Sequence, residues 1–191
     1  MKILNITTLS LAVALLPAAG LAQTQTNEMK PSASMGASPS QVAPSDKKFV
    51  REAAQGGMAE VELGKLATEK ASSDEVKKFG QRMVDDHTKA GNELKQIAGE
   101  KGIVVSQQLS AKDKMTKDRL SKLSGEQFDK AYMADMVKDH TQDVADFQKE
   151  ANSGADSDVK NFAAKTLPTL QDHLREAKQI APMTKTASNG Q

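Results

Sequence analysis

Apolar residues recur every three or four positions through four long segments of the chain. This spacing predicts helices over about 46–71, 73–100, 125–152 and 156–180. No segment sustains the period-two alternation of a strand, and only GIVVS at 102–106 has a strand-like composition. The pattern therefore predicts an all-α protein.

Each predicted helix carries one apolar stripe, and the four stripes should face a common core. Glycines within the first two helices predict that the helix axes approach one another closely: Gly56, Gly57, Gly64, Gly80 and Gly91. The stretches Ser72-Ser73-Asp74-Glu75 and Ser124-Gly125-Glu126-Gln127 are predicted capping boxes at the starts of the second and third long helices, because a Glu or Gln stands three residues after the first Ser of each. Pro168 should kink the fourth.

The segment 101–124 is longer than a connection between antiparallel neighbours needs. Its part SAKDKMTKDRLSKL predicts a short helix capped by Ser110. A long helix here is about 40 Å in length, and this segment can travel back along it, which makes the second and third long helices parallel. We therefore expect a ferritin-like four-helix bundle with one long crossover that carries a short extra helix.

The two ends of the chain differ in composition from the helical region. Residues 1–22 read as a signal peptide with cleavage after Ala22, which predicts a periplasmic or secreted protein. Residues 23–45 are rich in Ser, Pro, Gln and Ala and predict a disordered linker. The bundle domain is predicted over 46–181, and a disordered tail over 182–191.

Charge and composition exclude several classes of function. Without Lys2 of the signal peptide, 25 basic residues balance 25 acidic ones, and the chain has one Tyr and no Trp, so no nucleic-acid partner is expected. The absence of Cys excludes thiol chemistry and disulfides. No transmembrane span follows the signal peptide, and nothing in the sequence names a protein partner.

All three histidines directly follow an aspartate: His87 in MVDDH, His140 in MVKDH and His173 in LQDH. At 1.5 Å per residue, His87 and His140 lie about 21 and 22 Å from the same end of the expected bundle. His173, at the core edge, and Glu60 fall in the same layer, which is less than about 10 Å thick. Glu62 competes with Glu60 for the carboxylate position.

This layer has two interpretations. Glu60, His87, His140 and His173 are candidate ligands of a divalent transition metal such as Zn, Fe, Mn or Cu. Alternatively, the same side chains form a buried hydrogen-bond network that fixes helix register without any ligand. In either case, an aspartate next to each histidine can orient an imidazole on a neighbouring helix: Asp86, Asp139 and Asp172.

A standard ferritin di-iron centre is not expected. That centre needs Glu-x-x-His on two helices, whereas Val84, Val137 and Leu170 stand three residues before the histidines. No catalytic residue or organic cofactor is therefore predicted. The sequence favours a non-enzymatic envelope protein, and the alternatives are a ferritin-like metal-handling or oxidoreductase enzyme and a structural or interaction module.

Several motifs together resemble one known family: FVREAAQGGMAEVELGKLA, the MVDDH and MVKDH pair, SGEQFDKAYM and FAAKTLPTLQDHL. The chain is similar to the exported bacterial, ferritin-like domain-of-unknown-function family DUF4142, some members of which are named as outer membrane proteins. The resemblance covers roughly residues 46–181. It implies the ferritin-like fold and marks Glu60, His87, His140 and His173 as pattern positions, and it brings no established activity.

Overall fold

The computed structural model describes residues 42–186, and side chains as far as Thr184. Within that range the chain forms five helices and no strand, so the all-α prediction is confirmed. The predicted signal peptide and most of the predicted linker lie outside the described residues. The helices are α1 (Pro44–Lys70), α2 (Asp74–Glu100), α3 (Ala111–Ser121), α4 (Gly125–Ser153) and α5 (Ser157–Thr186).

Two helices extend beyond their predicted ends. α1 begins at Pro44, inside the predicted linker, because the fixed φ of proline and its missing N–H suit a first helical turn. α5 continues past Pro182 to Thr186, so the predicted tail is helical over its first residues. The buried side chain of Thr184, whose hydroxyl donates to the Ala181 carbonyl, shows that this last turn still packs on the bundle.

The first predicted capping box forms a side-chain cap one residue later than the Ser72–Glu75 spacing indicates. The Ser73 hydroxyl accepts a hydrogen bond from the Val76 N–H at 3.4 Å at the start of α2. At the start of α4 the prediction is wrong, because Ser124 makes no side-chain cap. Gly125 instead enters the helix with a positive φ of 59°, a conformation that glycine adopts without a steric penalty.

α1 packs along α2, and it also packs against α4. The Phe49 and Phe147 rings meet edge to face at 4.9 Å, and further along α1 the Glu60 Oε1 atom lies 3.2 Å from His140 Nδ1. α1 and α4 are therefore antiparallel.

α5 packs along α4, and it pairs with α2 through charged side chains. Arg82 Nη1 lies 2.6 Å from Glu176 Oε2, and Glu93 Oε2 lies 2.8 Å from Lys165 Nζ. α2 and α5 are therefore antiparallel as well.

The turn between α1 and α2 is capped from α4 by a buried carboxylate. Asp129 accepts hydrogen bonds from the backbone N–H groups of Ser72 and Ser73 at 3.1 and 2.9 Å, and from the Ser72 hydroxyl at 2.6 Å. Only 2% of its surface is exposed. The backbone N–H groups that lack a partner within α2 are therefore satisfied from outside the α1–α2 hairpin, by a residue of the α4–α5 hairpin.

The turn between α4 and α5 is capped in the same way from α1. Asp46, in the first turn of α1, accepts hydrogen bonds from the backbone N–H groups of Ala155 and Asp156 at 3.0 and 2.7 Å. It is as buried as its counterpart, at 1% exposure. Each hairpin therefore supplies the acceptor that the turn of the other hairpin requires.

The predicted close approach of helices occurs at one glycine pair. A Cβ on Gly64 would lie 2.6 Å from the Gly80 carbonyl oxygen, and a Cβ on Gly80 would lie 2.7 Å from the Ala67 Cβ. At Gly56 and Gly91 the prediction is wrong, since a Cβ there would meet nothing within 4 Å.

α3 lies in the connection between the two hairpins and packs on α1 and α4. Ser110 caps it by accepting a hydrogen bond from the Asp113 N–H at 3.1 Å, as predicted. Leu120 is its fully buried residue, and Lys117 pairs with Glu62 of α1 at 2.6 Å. None of the helices over 42–186 combines the length and the apolar character that crossing a membrane requires.

Two hydrophobic clusters form the core, and they belong to different ends of the helices. One cluster includes Leu63, Met83, Met136 and Ala177, and the other includes Phe49, Leu94, Phe147 and Leu170. On each of the four long helices, the polar residue predicted for the central layer falls between the positions assigned to the two clusters.

Candidate metal centre

The structure brings all four candidate residues together, one from each long helix. Glu60, His87, His140 and His173 are all buried, with exposed fractions of 4%, 7%, 0% and 0%. His173 is thus fully enclosed, whereas the sequence placed it at the core edge. The difference arises because Phe79 lies edge-on to its ring, with centroids 6.4 Å apart.

His140 and His173 face one another through ring nitrogens. His140 Nε2 lies 3.3 Å from His173 Nδ1. The opposite nitrogen of His140, Nδ1, lies 3.1 Å from the Met136 carbonyl oxygen, and that of His173, Nε2, lies 2.7 Å from Asp86 Oδ2. Because a carbonyl or carboxylate oxygen only accepts, we assign the ring protons to these outer nitrogens.

His87 is oriented in the same sense. Its Nδ1 atom lies 3.0 Å from Glu60 Oε2, which is within hydrogen-bonding distance of a group that accepts. Its Nε2 atom is buried and has no hydrogen-bond partner. A buried nitrogen without a partner is costly and requires an explanation.

The three imidazoles together direct unprotonated nitrogens toward one another. One nitrogen from each ring lies within 4.8 Å of the others. Ligand nitrogens about 2.0 Å from a tetrahedral ion are about 3.3 Å apart, which is the spacing of His140 and His173. Two lone pairs at that distance repel each other unless a proton or a cation lies between them.

The electrostatics of the layer keep these rings neutral. Burial lowers the pKa of His87, His140 and His173 to about 4 in each case. A metal ligand must be the neutral imidazole, so the rings are in their ligating form at neutral pH.

Sequence reasoning missed Asp143. It forms a second group with Glu60 and His140, in which one ligand atom of each lies within 4.8 Å of the others. Burial raises the pKa of Glu60 to about 7 and that of Asp143 to about 8. The signal was present in the sequence, since a residue three positions after His140 lies on the same helix face.

The aspartates that precede the histidines have different environments. Asp86 of α2 orients His173 of α5, as predicted for a carboxylate that acts on a neighbouring helix. Although partial burial opposes it, the contacts with His173 and Arg82 hold the pKa of Asp86 below its usual range. Asp172 pairs instead with Arg175 at 2.7 Å, so the expectation fails there.

Glu62 is not part of the layer. Its carboxylate accepts hydrogen bonds from Lys65 and Lys117 at 2.9 and 2.6 Å. Those two ammonium groups lower the pKa of Glu62, whereas burial raises the pKa of Glu60. The carboxylate that faces the histidines is therefore that of Glu60.

A family model described as "Domain of unknown function (DUF4142)" matches residues 31–180. A search of curated proteins found no significant match. The chain is similar to a solved structure titled "Crystal structure of DUF305 fragment from Deinococcus radiodurans". The TM-score is 0.66 and the identity 15%, with 74% of this chain and 98% of that chain covered, so this likeness shows the fold alone. Because the family model spans most of its length, the chain belongs to the DUF4142 family.

Proposed function

We propose that this protein is an exported, non-enzymatic bundle that binds one divalent transition-metal ion. The ligands are His87 Nε2, His140 Nε2 and His173 Nδ1. Asp86 holds the His173 ring in the ligating orientation by accepting a hydrogen bond from its Nε2 atom, and Glu60 Oε2 lies 3.0 Å from His87 Nδ1. Imidazole ligands suit Zn, Cu, Fe and Ni.

One observation carries this proposal: the buried Nε2 atom of His87 has no hydrogen-bond partner. With the ring protons of His140 and His173 assigned to their outer nitrogens, the two inward nitrogens, which lie 3.3 Å apart, are both unprotonated. A bound cation satisfies all three lone pairs at once, which no side chain of the described residues does.

The ferritin-like topology belongs to the same proposal. α1 is antiparallel to α4, and α2 is antiparallel to α5. The α1–α2 and α4–α5 hairpins are each antiparallel because their turns are short. α2 and α4 then run in the same direction, and the connection that carries α3 is the long crossover. The sequence prediction of parallel second and third long helices is supported by these pairings.

Two alternatives remain distinct from this proposal. A purely structural layer is favoured by the hydrogen bond of Asp86 with His173 and by the close approach of Glu60 to His87. A ferritin-like oxidoreductase is favoured by a depression of about 110 Å³ between α2 and α5, which His87 and His173 line. Three protein ligands would leave a coordination position for a small molecule there.

Metal binding is tested on the purified mature protein after chelator treatment. Zn²⁺, Fe²⁺, Mn²⁺ and Cu²⁺ are offered in turn, followed by dialysis, elemental analysis and thermal melts. We expect about one bound Zn²⁺ or Cu²⁺ per chain, and stabilisation by about 2.7 kcal/mol when the free metal is about a hundredfold above Kd. No bound ion and no thermal shift with any of the four would refute the proposal.

Substitution separates the metal site from the structural network. His173→Gln keeps the side-chain volume similar and should abolish the thermal shift with zinc. If the layer is only structural, chelators leave the melting temperature unchanged, and His87→Ala still destabilises by about 1–3 kcal/mol because it leaves a buried carboxylate unpaired. Turnover of a redox dye or peroxide that depends on bound metal and on His173 would favour the oxidoreductase.

A further inference from the structure

A cleft of about 310 Å³ lies where α1, α3 and α4 meet. It is on a different side of the layer from the depression between α2 and α5. Four aspartates and two lysines line it, in addition to Glu60: Asp113, Asp135, Asp139, Asp143, Lys112 and Lys138. The cleft therefore has an excess of negative charge.

Glu60 is the buried charged group of this cleft, with 4% of its surface exposed. Its Oε1 atom has no hydrogen-bond partner. The nearest ring nitrogen, His140 Nδ1, lies 3.2 Å away, but its proton is directed at the Met136 carbonyl. An unsatisfied carboxylate oxygen thus faces an acidic cleft.

Asp143 provides a second carboxylate at the same point. Its ligand oxygen lies within 4.8 Å of those of Glu60 and His140. Two carboxylates this close repel each other unless a proton or a cation is shared between them. Hard divalent cations are bound by oxygen ligands of this kind.

We propose that this cleft holds a second, outer cation position, formed by the Glu60 and Asp143 carboxylates with His140 Nδ1, that takes a hard divalent cation such as Mn²⁺. The inference rests on the proposed function, because His140 serves both positions. A neutral imidazole has one lone pair, so His140 ligates the inner ion through Nε2 or the outer ion through Nδ1. In the second case its ring proton moves from Nδ1 to Nε2, and the hydrogen bond to Met136 is lost.

The two positions predict opposite effects of two substitutions. Full-length mature protein is stripped of metal and titrated with Mn²⁺, and free Mn²⁺ is followed by its electron paramagnetic resonance signal. Asp143→Asn should weaken Mn²⁺ binding at least about tenfold, whereas His173→Gln should leave it within about twofold. With Zn²⁺, followed by competition against a chromophoric chelator, the order should be reversed.

Asp146→Asn is the matched control, because Asp146 is an exposed carboxylate one turn further along α4. It should bind both ions as the wild type does. If Mn²⁺ binds no more weakly to Asp143→Asn than to Asp146→Asn, the outer position does not exist, and the inner site stands or falls on the zinc data alone. Mn²⁺ binding that depends on Asp143 without any zinc binding would refute the inner site and retain the outer one.

Discussion

His140 has a functional neighbour on each of its ring nitrogens. Nε2 faces His173 at 3.3 Å, and Nδ1 lies 3.1 Å from the Met136 carbonyl and 3.2 Å from Glu60. Like His173, His140 has no exposed surface. The tautomer of this one residue therefore decides which nitrogen is available to a cation.

Histidines and carboxylates of the layer act on stability in opposite directions. The histidines have folded pKa values near 4, below their ordinary 6.5, so their contribution is present above pH 6.5 and is lost as the pH falls toward 4. Asp143 has a folded pKa of about 8, above its ordinary 3.8. Its contribution is present at low pH and is lost as the pH rises toward 8.

Asp143→Asn should therefore change the pH dependence of the metal-free protein. Asparagine does not ionise, so the melting temperature of the variant relative to the wild type should rise steadily from pH 4 to pH 8. Thermal melts in chelator-containing buffers measure this difference. Asp146→Asn serves as the control and should give a much smaller difference, since its charge is only a minor cause of the raised pKa of Asp143, and a flat difference for Asp143→Asn would contradict that raised pKa.

The sequence predicted much of this site because spacing alone fixes depth along a helix. Glu60 and the three histidines were assigned to one layer from the rise of 1.5 Å per residue. Residue spacing does not determine which of two carboxylates faces the core when both lie on adjacent parts of a helix surface, as Glu60 and Glu62 do. The choice between Glu60 and Glu62 depended on Lys117 of α3, a tertiary contact that no helical period contains.

At the scale of helices and turns, buried carboxylates join the two hairpins. Asp129→Ala should destabilise the protein by about 1–3 kcal/mol, because the Ser72 and Ser73 N–H groups lose their acceptor. Urea unfolding followed by circular dichroism measures the change. Glu69→Ala, at an exposed position of α1, is the control and should change stability by less than about 0.5 kcal/mol. Equal effects of the two substitutions would show that the buried cap is not stabilising.

The glycines of α2 give a second test at this scale. Gly80→Ala should destabilise by about 1–3 kcal/mol, since its Cβ would lie 2.7 Å from Ala67 and 2.9 Å from the Gly64 carbonyl. Gly91→Ala should instead stabilise by about 0.5–1 kcal/mol, because its Cβ meets nothing and alanine favours helix. Opposite shifts in melting temperature are expected, and shifts of the same sign would contradict the observed packing.

Helix bodies were predictable from periodicity, whereas their ends depended on partners far away in sequence. α3 begins where Ser110 indicated and α2 begins within one residue of its predicted start, because a serine cap acts within its own turn. α5 extends past its predicted end because Thr184 is buried, which only the assembled bundle determines. The two carboxylate caps were not predicted for the same reason, since Asp46 acts on a turn 109 residues away.

At the scale of the whole molecule, the composition of residues 1–22 predicts export. The apolar run after Lys2 and the Gly20-Leu21-Ala22 sequence predict cleavage after Ala22. Mass spectrometry of the protein from its native compartment should give an N-terminus at Gln23 or within a few residues. An intact Met1 in the envelope fraction would contradict export by signal cleavage.

The reciprocal carboxylate caps imply that the chain consists of two halves that recognise each other. Each half carries the acceptor for the turn of the other, and the connection at 104–109 adds a covalent link to a pairing that side chains already specify. A chain divided there and expressed as two polypeptides should reassemble and co-purify. Asp46→Ala and Asp129→Ala together should abolish that reassembly, while recovery of an unchanged complex from the double variant would show that the apolar faces suffice. Because the candidate ligands come from both halves, metal binding by the reassembled protein would also test the proposed site.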